Sequence, residues 1–126
     1  MRLIFESEER FQRMLDVEAA LAKALAKVDM IPKIDADIIA RKASIKLVKV
    51  GRIRELEREV AHETMALVLA LAEACGKSGR YVHFGATSSD ILDTAMALQI
   101  RDALAMVERD LRKILGIVLG QASKYK

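Results

Sequence analysis

The sequence has 126 residues, 52% of them hydrophobic and 4% aromatic, with a single proline and no tryptophan, which is the profile of an all-helical unit built from small and aliphatic side chains. A formal charge of +3 is too mild to argue for nucleic acid, and the most apolar run, Met65 to Ala72, falls far short of the roughly 20 residues that cross a bilayer. The lone cysteine, Cys75, excludes an intrachain disulfide and a cysteine metal cluster; with no signal-peptide hydrophobic region at the N-terminus, the expected home is a reducing cytoplasm.

In chain order, Ser7 is expected to cap a first helix whose opening turn holds Glu8 and Glu9. Phe11, Met14, Val17, Leu21, Leu25 and Val28 then recur at three- and four-residue steps, and the helix is expected to end before Ile31-Pro32. A shorter helix is expected from near Asp35 to Ala43, with Ile38 and Ile39 inward. Ser44 to Val50 reads as a loop with apolar anchors, because no partner strand for it occurs elsewhere in the chain.

The periodicity returns from about Arg52 to Cys75 with a phase slip at Ala61-His62-Glu63-Thr64, which predicts a kink or two abutting helices. Basic residues from Arg41 to Arg58 are interleaved with Glu55 and Glu57 and read as a solvated helix face. Gly76 to Gly79 should end the helix. Ala97, Ile100, Leu104, Val107, Leu111, Ile114 and Val118 then step by alternating threes and fours along a helix expected from about Ser89 to Ser123. Nothing else in the chain is long enough to cover that seam, so further helices of the same subunit or of other subunits are expected against it.

Between these helices lies Tyr81-Val-His-Phe-Gly-Ala-Thr-Ser-Ser-Asp90, a loop delivered onto a helix N-terminus. Such an end presents unpaired N–H groups and the positive pole of the helix dipole, and hydroxyls beside it complete a pocket for a carboxylate or phosphate. The plainer reading makes Ser88 or Ser89 an N-cap and Asp90 a dipole-matched first-turn acid. The chain's two histidines, His62 and His83, fall at the phase slip and in this loop. Neither has the spacing of a metal site, and no metal or other cofactor is expected.

Phe11 to Ala26, Arg58-Glu-Val-Ala-His-Glu-Thr-Met-Ala66 and Arg80-Tyr-Val-His-Phe-Gly-Ala-Thr-Ser-Ser-Asp-Ile-Leu-Asp-Thr-Ala95 together resemble the adenylosuccinate lyases of the fumarase/aspartase superfamily, in order and spacing and over essentially the whole chain. The resemblance implies an all-α enzyme in which residues 1–88 form a small helical N-terminal domain and 89–126 the first long helix of a central bundle. The implied reaction eliminates fumarate from adenylosuccinate, giving AMP, and from the related succinylated imidazole carboxamide ribotide. It also implies a cytoplasmic homotetramer whose partners are these small molecules, with no nucleic acid and no membrane.

Carried over by position, Thr87 and Ser88 match the pair that holds a succinyl or fumarate carboxylate. His83 matches a substrate histidine assigned to the phosphate, and His62 the histidine of a His-Asp pair that contacts substrate, with Ala61 and Glu63 flanking it in the same substrate-binding segment. Glu63 stands where the family usually has aspartate, so its contact would reach about one methylene further. No catalytic acid or base is expected among these residues, because the family's general-acid histidine and serine-bearing loop match segments beyond Lys126; the 126 residues alone are expected to be inactive. A 3-carboxy-muconate cycloisomerase of the same superfamily and a non-catalytic helical oligomerisation module are the alternative readings.

Overall fold

A computed structural model of the chain describes residues 2–125. Among them are five α-helices, α1 (Ser7–Lys27), α2 (Lys33–Lys42), α3 (Val50–Val60), α4 (Glu63–Cys75) and α5 (Ser88–Lys124), with short 3-10 segments at Arg2–Phe5 and Gly76–Tyr81 and no strand. The all-α expectation therefore holds. Lys126, where the expected bundle segment 89–126 closes and beyond which the acid and base are expected, lies outside the described residues.

α1 buries Phe11, Met14, Leu15, Glu18 and Ala22 along one stripe, with Glu8 and Glu9 at its positive end and Lys27 at its negative end. Its start differs from expectation. Glu6 occupies the cap position without a side-chain bond, and Ser7 is already helical, its hydroxyl accepting from Arg54 at 3.4 Å. The helix also stops earlier than Pro32 requires. Asp29 takes a left-handed φ of 58°, and the Met30 N–H reaches back to the Leu25 carbonyl at 3.0 Å while the Asp29 N–H meets Ala26 at 3.3 Å. That is a Schellman ending with aspartate in the place glycine usually takes.

α2 begins at Lys33 rather than Asp35, because the fixed φ of Pro32 sets up its first turn, and Asp35 and Ala36 both donate to the Pro32 carbonyl at 3.1 Å. Ile39 is buried and Ile38 half-buried. The 43–49 connector is a turn anchored by the buried Val48, while Leu47 is exposed. Gln12 of α1 secures it, accepting from the Ile45 N–H at 3.0 Å.

The expected phase slip is a true break. α3 ends at Val60, Ala61 takes a left-handed φ of 52°, His62 is extended, and α4 starts at Glu63. α4 buries Thr64, Ala66, Leu67, Val68, Ala70, Leu71 and Cys75, residues on more than one face, which makes it the central helix. The 3-10 segment after it crosses α4 so closely that Gly79 has no room for a side chain, and Ser78 donates to Asp35 of α2 at 2.7 Å.

At 37 residues, α5 is about 55 Å long at 1.5 Å per residue. Its first three turns pack on α1, burying Ile91, Ala95 and Gln99, and the Gln99 amide and Asp102 carboxylate tie it to the Ile4 carbonyl and to Arg13. Beyond Met106 every described residue is exposed, including Leu111, Ile114, Leu115, Ile117, Val118 and Leu119.

Candidate functional site at two helix starts

The chain break after α3 and the loop before α5 bring two helix N-termini together. His62 is the cap of α4: its Nδ1 accepts from the Met65 N–H at 3.2 Å. That bond assigns the neutral ring's proton to Nε2, which lies 3.4 Å from the Ser88 hydroxyl oxygen at the start of α5. Histidine is an unusual cap residue. The left-handed Ala61 allows it, turning the chain so that the ring folds back over the helix end.

At α5 the cap is Thr87, not Ser88 or Ser89. Asp90 accepts from the Thr87 N–H at 2.8 Å and from the Thr87 hydroxyl at 3.0 Å, and the backbone bond first, then the hydroxyl, holds its carboxyl below the usual range. With the capping task taken by Thr87 and Asp90, Ser88 is left to face His62.

Glu63 is turned away from that contact. Arg10 of α1 grips its carboxylate in a two-pronged pair at 2.9 and 2.5 Å, which pins the first turn of α4 to α1. Ala61 contributes its backbone turn. Glu63 here therefore acts on its own element's placement, while His62 and Ser88 meet each other.

His83 lies at the head of the same loop, with a left-handed φ of 61° and a side chain only 14% exposed. Glu18 of α1, wholly buried, accepts its N–H at 3.1 Å through Oε2 and meets its Nδ1 at 2.6 Å through Oε1. The field of His83 also reaches Asp90. Alongside, an open groove is lined by Val17, Leu21, Gly85, Ala86, Asp90 and Ile91.

Glu18 was not singled out by its sequence, although a signal exists. It sits within the apolar stripe of α1, three and four residues from Leu15, Met14 and Ala22, where a carboxylate requires a partner. Burial pushes its carboxyl above the ordinary value, opposed by the hydrogen bond and charge of His83. The folded state therefore keeps the proton over a pH range in which the unfolded chain releases it. The associated stability is complete below the unfolded value and is lost as pH rises through the folded one. Melting curves across that range should show this decline for the parent and not for Glu18→Gln; Asp90 and Glu73, whose carboxyls are held low, give the opposite slope in both proteins. Parallel profiles for parent and variant would refute it.

Chemically, the arrangement offers a neutral imidazole N–H, hydroxyls and two helix starts at one edge of the fold, a set of donors suited to carboxylate or phosphate oxygens. Asp90 partly offsets the dipole of α5, so side-chain donors carry more of the recognition there.

The sequence model of a family described as lyase matches residues 1–126. Adenylosuccinate lyase of Pyrococcus abyssi is 50% identical over 125 residues, 99% of this chain and 28% of that protein, and adenylosuccinate lyase of Methanocaldococcus jannaschii is 46% identical over 127 residues, all of this chain and 28% of that protein. Among solved structures, the β-carboxy-cis,cis-muconate cycloisomerase of Acinetobacter calcoaceticus superposes with a TM-score of 0.88 at 35% identity, covering 98% of this chain and 30% of that one. The chain thus spans little more than a quarter of the length of these relatives. Matched from end to end by the family's model and half identical to one of its lyases, the chain belongs to the lyase family of the fumarase/aspartase superfamily.

Proposed function

We propose that this chain supplies substrate-binding residues to an adenylosuccinate lyase, which eliminates fumarate from adenylosuccinate to give AMP and acts likewise on the succinylated imidazole carboxamide ribotide. The observation that carries this reading is the approach of His62 to Ser88, 26 residues apart, in a chain half identical to an adenylosuccinate lyase. In the reaction a base removes a proton from the carbon next to a carboxylate, the carbon–nitrogen bond breaks, and an acid protonates the departing nitrogen. Charge that builds on the carboxylate during the first step needs fixed donors.

In this reading Ser88 and Thr87, whose hydroxyl exchanges Asp90 for the ligand, hold the succinyl carboxylate, His62 contacts the substrate and orients Ser88, and His83 meets the phosphate. Ala61 and Glu63 place His62, the first by its backbone turn and the second through Arg10. The acid and base come from segments of the full-length enzyme beyond Lys126, and no cofactor is required. The working assembly is a cytoplasmic homotetramer in which the exposed face of α5 is covered by other long helices.

Titrating the chain with fumarate and with AMP while following the imidazole signals of His62 and His83 by NMR tests the site. Fumarate should move His62 and AMP should move His83, with no turnover of adenylosuccinate by the 126 residues alone. Silence of both rings toward both ligands would favour a purely associative helical module. Response to a carboxylated muconate and not to AMP would favour the cycloisomerase reading, which the structural likeness keeps in view.

A further inference from the structure

Glu18 shows no exposed side-chain surface, yet both its oxygens are committed to one residue across 65 positions of sequence. A buried acid–base pair contributes little net stability compared with apolar residues of the same volume, so its placement asks for a further reason. We propose that Glu18 is a positioning residue for His83, fixing the ring so that Nδ1 carries its proton and Nε2 is the one nitrogen presented to a bound anion.

The argument is one of donors and acceptors. Once Glu18 has lost the proton that burial helps it keep, its carboxylate only accepts, so at 2.6 Å from Oε1 the Nδ1 atom must donate. The neutral ring then has a bare Nε2, and the protonated ring has Nε2–H as its single free donor, backed by a negative charge on its far side. The second bond, from the His83 N–H to Oε2, holds a left-handed backbone that non-glycine residues adopt only at a cost. One carboxylate thereby sets the loop, the ring direction and the tautomer together. The other acid within reach of the ring, Asp90 on α5, is engaged with Thr87.

That the anion is a substrate phosphate rests on the reading proposed above; the positioning does not. Long-range nitrogen-15 spectra of the chain, taken at a pH where Glu18 is ionised and the ring is neutral, should show His83 with a protonated Nδ1 and a bare Nε2. In Glu18→Gln the amide can donate to Nδ1, so the ring should move toward the Nε2–H form. Inorganic phosphate, read at the same ring near neutral pH, should bind about tenfold more weakly or worse in the variant, because the carboxylate that steadies the charged ring and its Nε2–H donor is gone. A parent ring already in the Nε2–H form, or a variant ring with an unchanged tautomer, would overturn the proposal; the parent spectrum decides alone if the variant fails to fold. A protonated Nδ1 in a parent that ignores phosphate would instead remove the phosphate role and leave the positioning intact.

Discussion

Glutamate introduced at both Leu104 and Leu111 is expected to leave the chain monomeric at concentrations where the parent self-associates. Leu104 and Leu111 are 61% and 59% exposed, and with Ala97, Ile100, Ala105 and Val107 they line an apolar groove along α5. A helix in water does not keep such a face uncovered when a second copy can cover it, and the alternating three- and four-residue steps suit another helix lying alongside. Burying the exposed part of each leucine contributes about 1–2 kcal/mol and a pair of copies loses four, so about 4–8 kcal/mol is removed, a weakening of roughly 10³- to 10⁶-fold before the cost of burying carboxylates is added. Sedimentation over a wide concentration range reads this directly. A parent that remains monomeric throughout would remove the self-association reading altogether.

The same seam shows why much of this fold was legible from sequence. Apolar spacing reports which side of a helix avoids water, and it does so whether the cover lies in this chain or in another copy. α1, α4 and α5 were therefore visible, as was the break at Ala61-His62, where the spacing loses step. The helix ends were not. α1 stops at Lys27 because Asp29 adopts the left-handed conformation without advertising it as glycine would, and α5 is capped by Thr87, while Ser88 and Ser89 looked equally suitable. Each is decided by a local hydrogen bond for which several neighbours qualify.

The site was legible in part for the same reason. His62, Thr87 and Ser88 occupy irregular points that periodicity exposes, but partnerships across the fold carry no local pattern. The Arg10 grip on Glu63 spans 53 positions and the Glu18 pair with His83 spans 65. Glu63 enters the substrate-binding segment through the family resemblance, since neighbours on a helix point in different directions. Only the packing of α1 against the start of α4 shows its carboxylate committed to a neighbour.

Gly79→Ala should destabilise the fold by about 3 kcal/mol, at the upper end of the usual range for overpacking, and lower the melting temperature by roughly 10 °C. A methyl group there would stand 2.4 Å from the Ala72 carbonyl oxygen and 2.9 Å from its carbonyl carbon and Cα. All three are backbone atoms in α4, so no side chain can rotate aside. The 3-10 segment must lift from the central helix, straining the Ser78 bond to Asp35 and the path by which the chain reaches His83. Gly51 is the control: in the first turn of α3 a Cβ meets nothing within 4 Å, so Gly51→Ala should leave stability unchanged or raise it by up to about 1 kcal/mol. If the two variants melt together, the close crossing at Gly79 does not set the position of the loop. If only Gly79→Ala melts early, and the His83 ring signal shifts while that of His62 holds, the loop is shown to be placed from below by the crossing over α4.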